Sequence, residues 1–255
     1  MLLAIDIGNT SITLGVFEGD ELRTTWHVAT DIDRSVDEYA ILMLNLLHQR
    51  GVDTSDTEDA ALCCVVPPLL ATFKELLQRY FRISPLVVGA GIKTGVRIRM
   101  DNPREVGADR IANAAAAHHL YCGPIIITDL GTATTFDIVS KEGDYVGGVI
   151  APGITIAAES LFMRAAMLPR IELIHPKHTI GTNTIAAMQS GIIFGYVGLV
   201  EGVVARIQQE LGEKTKVIAT GGYAELIAKE TTIIDAVNPN LTLTGLGLIF
   251  QMNKD

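Results

Sequence analysis

The sequence predicts a duplicated α/β fold, with a strand-first sheet and following helices in each half. Two observations predict it. A short pattern occurs twice: Ile5-Asp6-Ile7-Gly8-Asn9-Thr10-Ser11 returns as Thr128-Asp129-Leu130-Gly131-Thr132-Ala133-Thr134, an offset of 129 − 6 = 123 residues. Each copy lies between apolar runs, 2–5 and 12–17 around the first, 125–127 and 136–139 around the second. A second turn follows each, Glu18-Gly19-Asp20 and Glu142-Gly143-Asp144. A strand, a tight turn holding Asp and Gly, and a returning strand therefore occur once per half.

The elements follow in order. Residues 2–6, 11–17 and 21–28 read as a three-strand meander. Residues 36–50 have amphipathic helical spacing, with Gly51 placed to end the helix. Residues 60–66 form a short buried strand closed by Pro67-Pro68, and 69–81 a second helix. Residues 86–88 and 96–100 are strands, and Asp101-Asn102-Pro103 is a turn. A helix runs from near Glu105 through an alanine-rich stretch to Leu120. Strands resume at Ile125 and continue to about residue 150. A Gly/Pro loop leads to a helix over 154–167, and 169–182 is irregular and polar. A long helix over 184–211, a strand over 216–220, a short helix over 223–229 and a last helix over 241–252 complete the chain. Domains of 1–117 and 118–255 are expected.

At 255 residues, 48% hydrophobic and 19% charged, the chain can build packed cores. The net charge of −9 argues against a nucleic-acid partner or an anionic membrane surface. A polyanionic ligand must then be held by backbone N–H groups, helix N-termini and metal ions more than by lysines. Cys63 and Cys64 lie in an apolar run and, with Cys122, form no C-x-x-C pair, so free thiols and a cytoplasmic location are expected. The apolar start ends at Asp6, so no signal peptide is expected. The apolar stretch 192–200 contains Gly and stops at Glu201, too short to span a bilayer.

The chemistry of the repeated turn follows from its residue types. Gly lets the backbone approach a phosphate closely, Asn, Thr and Ser add short hydrogen-bonding groups, and Asp is a hard oxygen ligand for Mg²⁺. A single D-x-G is equally an ordinary hairpin turn; two copies in register point to a nucleotide and its metal. Gly107-Ala108-Asp109-Arg110 follows a Pro turn and opens a helix. Its Asp can cap the helix with Arg as an ion-pair partner, or act as a carboxylate base beside an arginine that grips an anionic substrate. Such an Asp is a weak base, which suits phosphoryl transfer, where orientation of the attacking alcohol matters more than basicity. Ala219-Thr220-Gly221-Gly222 is either a plain strand-to-helix turn or a backbone rest for a ring or phosphate. Thr182, Asn183 and Thr184 lead into the long helix as caps or ligand contacts. Residues 89–95 imitate a P-loop with the wrong spacing, and no zinc or dinucleotide motif is present. His118-His119 point different ways on a helix and make no metal pair.

Together, Asp6-x-Gly8-Asn9-Thr10, Gly107-Ala108-Asp109-Arg110 and Asp129-x-Gly131-Thr132-Ala133-Thr134 resemble the type III pantothenate kinases. This family belongs to the superfamily of acetate and sugar kinases, heat-shock ATPases and actin. The resemblance covers essentially the whole chain and implies two ribonuclease-H-like domains with the active site in the cleft between them. It implies phosphorylation of the terminal hydroxyl of pantothenate by ATP to 4'-phosphopantothenate, the first step of coenzyme A biosynthesis. It also implies a homodimer, Mg²⁺ or another divalent metal, and a monovalent cation, K⁺ or NH₄⁺. By the same likeness Asp6, Ile7, Gly8, Asn9, Thr10, Ser11, Ile12, Thr13 and Thr132 bind ATP, with Asp6 positioning Mg²⁺ directly or through water. Asp109 is the base, and Gly107, Ala108, Asp109 and Arg110 contact pantothenate, joined by Thr184 from across the dimer interface. Asp129 holds the monovalent cation. Many members carry an aromatic residue where this chain has Met100, which removes one substrate contact. The alternatives are a non-catalytic ATP- or metabolite-binding regulator, a kinase for a sugar or short acid, and an exopolyphosphatase-type hydrolase. Retention of Asp6, Asp109 and Asp129 favours the kinase over the regulator, since a binder needs no base.

Overall fold

A computed structural model describes residues 1–254, which divide into two units: Met1–Ala116 together with the C-terminal segment from Leu241, and Ala117–Asn240. The first unit is built on β1 (Leu2–Ile7), β2 (Ser11–Glu18), β3 (Glu21–Ala29), β4 (Asp59–Cys64) and β5 (Leu86–Val87), in the order β3-β2-β1-β4-β5. β1, β2 and β3 pair antiparallel, and β4 runs parallel to β1 and to β5. Period-two alternation sorts the side chains. Leu3, Ile5 and Ile7 share a buried core with Ile12, Leu14, Val16, Ala60 and Leu62, to which α1 (Val36–Gln49) and α2 (Pro67–Leu76) add Tyr39, Met43, Leu69 and Phe73. Asp6, on the alternate phase of β1, is thereby turned to the other face.

Helix α1 starts where Ser35 and Glu38 cap each other's backbone N–H groups. Helix α2 begins at Pro67, two residues before the sequence-based start. Proline lacks only an N–H that the first helical turn would leave unpaired, so Pro67-Pro68 open the helix as well as closing the strand. β6 (Arg97–Ile98) is two residues long, and α3 (Ala108–Tyr121) begins after a short 3₁₀ turn at Pro103–Glu105.

The second unit repeats the plan with β7 (Ile125–Leu130), β8 (Ala133–Val139), β9 (Asp144–Pro152), α4 (Ile154–Arg164), α5 (Thr184–Leu211), β10 (Lys216–Thr220), α6 (Ala224–Ala228) and β11 (Ala236–Val237). β7, β8 and β9 pair antiparallel, while β10 runs parallel to β7 and to β11. Each relation has its counterpart in the first sheet, so the duplication visible in two turns extends to strand order. By length and apolarity α5 could cross a bilayer, the one such helix among the described residues. Its Ile192, Ile193, Tyr196, Val197, Val200 and Val204 instead fill the core of the second unit with Ile126, Phe136 and Val217.

The division falls between Ala116 and Ala117, inside α3. The final helix, α7 (Leu241–Asn253), corrects the expected second domain of 118–255, because it belongs to the first unit. The cause is close packing on the face that carries Asp6. Leu243 lies over Gly15, Gly247 beside Phe17, and Thr242 donates to Asn113 at 2.8 Å. Gly245 meets the backbone of Ala112 on α3 so tightly that a Cβ would collide with the Ala112 carbonyl. Gly245→Ala should therefore destabilise the protein by roughly 1–3 kcal/mol, the usual range for overpacking, read as a lower midpoint in urea unfolding.

Candidate active site

In the first unit the site begins at the end of β1. Strand register places Asp6 opposite Cys63 on β4 and Thr13 on β2, and Thr13 opposite His27 on β3. These four polar side chains form one row across the sheet face. Cys63 Sγ donates to Asp6 Oδ1 at 3.1 Å, and Thr13 Oγ1 lies 3.2 Å from His27 Nδ1. Burial pushes the Asp6 carboxyl from 3.8 up to about 7; the Cys63 hydrogen bond opposes that rise, and the charge of Asp109 adds to it. Burial, with Asp6 and Asp109 next, likewise holds the Cys63 thiol well above its usual range.

The turn after Asp6 is locked from two sides. Gly8 N donates to Ser11 O at 3.0 Å, closing the hairpin. Thr30, past the end of β3, donates its hydroxyl to Gly8 O at 2.7 Å and its N–H to Thr10 O at 3.0 Å. Asn9, Thr10 and Ser11 remain exposed at the tip. This presents short polar groups and backbone on a braced loop, the arrangement that phosphate binding needs.

Gly107, Ala108, Asp109 and Arg110 open α3 in the same unit. Asp109 Oδ1 accepts from Arg110 N at 2.8 Å, and Gly107 O accepts from Ile111 N at 3.1 Å. A Cβ at Gly107 would collide with Asp109 Oδ1, so glycine there is what lets the carboxylate fold back over the helix start. The structure thus gathers Asp6, the turn from Ile7 to Thr13, and the 107–110 segment within one unit, with Asp6 and Asp109 in electrostatic contact.

The second copy of the turn is tighter. Two residues, Gly131 and Thr132, separate β7 from β8, where three, Gly8 to Thr10, separate β1 from β2. Gly131 N donates to Ala133 O at 3.1 Å, the counterpart of the Gly8 bond. Asp129 Oδ1 faces Gly221, whose φ of +90° and a would-be Cβ 2.5 Å from that oxygen both exclude a side chain. Gly221, in the strand-to-helix turn after β10, thus packs directly against the Asp129 carboxylate. Thr128 and Thr134 flank this turn with buried hydroxyls that have no protein partner.

Thr184 stands apart from that hairpin. It is the first residue of α5, after Asn183, whose side chain caps the helix by accepting from Ala186 N at 2.9 Å. It lines an open cavity of about 650 Å³ with Leu161, Leu168, Thr182, Asn183 and Met188, which none of the residues of the two turns or of the 107–110 segment lines. Asn183 is thus the cap, and Thr184 is left to face solvent.

Sequence reasoning missed two contributors. Cys63 looked like an inert core thiol; a parallel strand beside β1 would have placed it next to Asp6. Thr30 follows the third strand without any local signal. Among the described residues no group of three or more His, Cys, Asp or Glu could hold a metal by itself. That donor set fits a hydrated divalent ion carried by nucleotide phosphates and touching one or two carboxylates, the habit of Mg²⁺. Asp6 is a carboxylate in this unit whose burial disfavours its charge in the absence of a counter-ion.

Residues 2–206 match the family model described as type III pantothenate kinase. A type III pantothenate kinase from Dehalococcoides mccartyi (strain CBDB1) is 57% identical over 253 residues, covering 99% of this chain and 96% of its own. A solved structure from Campylobacter jejuni, described as a Baf family transcriptional activator, superposes with a TM-score of 0.61 at 19% identity over 98% of each chain. The inorganic polyphosphate/ATP-glucomannokinase from Arthrobacter sp. strain KM gives a TM-score of 0.53 at 14% identity over 99% of each chain. At such identities the two structures bear on the fold alone, the duplicated ribonuclease-H-like fold of the actin-like ATPases and sugar kinases.

The raised Asp6 has a measurable consequence. Folded protein keeps this proton up to about pH 7, whereas the unfolded chain loses it near 3.8. Between those values the unfolded state binds fewer protons, so stability falls as pH rises, and the loss is complete above the folded value. Without metal or nucleotide, Asp6→Asn should gain stability over the parent between about pH 4 and 7, on the order of a few kcal/mol at neutrality. Urea midpoints measured across that range check this; parallel pH profiles for the two proteins would contradict it.

Proposed function

The chain belongs to the type III pantothenate kinase family, and we propose how its residues carry out the ATP-dependent phosphorylation of pantothenate in coenzyme A biosynthesis. The reaction requires ATP with a divalent metal and an alcohol brought in line with the γ-phosphorus. The observation that carries the assignment of roles is the placing of Asp109 within electrostatic reach of the buried Asp6 in one unit.

Asp109 is the catalytic carboxylate. It orients the pantothenate hydroxyl and accepts its proton as the bond to phosphorus forms. Arg110 and the backbone of Gly107 and Ala108 grip the substrate, and an arginine fork suits the carboxylate at its far end. The turn from Asp6 to Thr13 binds the ATP phosphates, with Thr132 contributing from the second copy. Bound Mg²⁺ supplies positive charge at the phosphoryl oxygens, and Asp6 holds it directly or through water. Asp129 holds K⁺ or NH₄⁺, with Gly221 leaving room beside its carboxylate. That ion supplies charge that a P-loop lysine supplies in other kinases. Thr184 contacts pantothenate of the partner protomer in a homodimer, and the enzyme works in the cytoplasm.

Two outcomes test these roles. Asp109→Asn should lower kcat roughly 10²–10⁴-fold, the usual worth of a general base, while the Kd of a non-hydrolysable ATP analogue changes less than about threefold. Equal loss of both would refute the base assignment. ADP release by the parent enzyme should require pantothenate and be faster in K⁺ than in Na⁺ alone, and Asp129→Ala should erase the difference between the salts. A K⁺ response that survives Asp129→Ala would place the cation elsewhere.

A further inference from the structure

Cys63 is fully buried, at 0% exposure, yet it sits on the face of β4 that meets Asp6 rather than in the core beneath α1 and α2. Its neighbour Cys64 faces the other way and spends its thiol on Val66 O, at 3.1 Å, just before α2. The two adjacent cysteines therefore serve different ends. Among the described residues Cys63 is the one side chain that hydrogen-bonds the Asp6 carboxylate.

We propose that Cys63 is a positioning residue for Asp6: its thiol donates to Oδ1 and fixes the carboxylate so that Oδ2 is left to receive the hydrated divalent cation that accompanies ATP. This rests on the reading of Asp6 as the metal-facing acid. Two features support it. Parallel register sets the two Cα positions side by side, so the contact is built by the sheet and not by a mobile loop. An S–H group donates once and weakly, so it orients the acid without competing as a charge. Partners that orient a metal-facing ligand are commonly worth as much as tenfold or more in metal affinity.

The test uses the full-length protein with a saturating non-hydrolysable ATP analogue and Mn²⁺ as the probe, its dissociation constant read by electron paramagnetic resonance. Cys63→Val loses the donor and adds one methyl group; Cys63→Ser keeps a donor; Asp6→Asn tests the underlying reading. Cys63→Val should weaken Mn²⁺ about tenfold and Cys63→Ser less than about threefold, with thermal midpoints recorded alongside. If Cys63→Val does not fold, Cys63→Ala takes its place. Wild-type Mn²⁺ affinity in the donor-less variant, with Asp6→Asn still weakened, overturns the role of Cys63 and leaves that of Asp6 standing. Unchanged affinity in Asp6→Asn overturns the reading of Asp6 itself. Equal weakening in Cys63→Ser and Cys63→Val would make the effect one of packing, and also overturns the proposal.

Discussion

A buried Asp6 carboxyl beside the charge of Asp109 is the constraint around which the first unit is arranged. Asp6 ends a strand whose other inward positions are aliphatic, and Asp109 opens a helix near enough to raise its proton affinity. An ionised Asp6 is not at ease there. Burial and mutual repulsion favour the protonated acid, and one thiol hydrogen bond offsets only part of that cost. A divalent ion reverses the balance, because the buried charge then has a counter-charge.

The duplicated turn has been put to two uses. In the first copy a three-residue tip is braced by Thr30, and its acid leans on a thiol from the parallel neighbour strand. In the second copy the tip is one residue shorter, and its acid is wedged against a glycine in the strand-to-helix turn that follows β10. Both acids thus depend on the parallel neighbour, β4 or β10. The same sheet plan therefore gives the two acids different neighbours, a thiol for Asp6 and a glycine for Asp129.

Much of this was legible in the sequence because it is local. Hairpins announce themselves through alternation and Gly-Asp turns, and α1, α5 and α7 through apolar spacing. The turns themselves, with the 107–110 segment, carried the family resemblance that the comparisons bear out. What the sequence hid is long-range. Two-residue β11 has too little alternation to detect and exists because β10 offers it an edge. The return of α7 to the first unit depends on Gly245 fitting Ala112, 133 residues earlier (245 − 112). Cys63 beside Asp6 is a matter of parallel register, which no local pattern specifies.

The most direct test of the electrostatic account is proton release on binding. Calorimetric titration of the protein with Mg²⁺ and a non-hydrolysable ATP analogue, at about pH 6 and in buffers of different ionisation enthalpy, counts protons expelled as the complex forms. The account predicts that the parent protein releases close to one proton more than Asp6→Asn. Equal proton counts for the two would mean that Asp6 is already ionised at rest, and that the buried acid pair is not what the metal–nucleotide complex relieves.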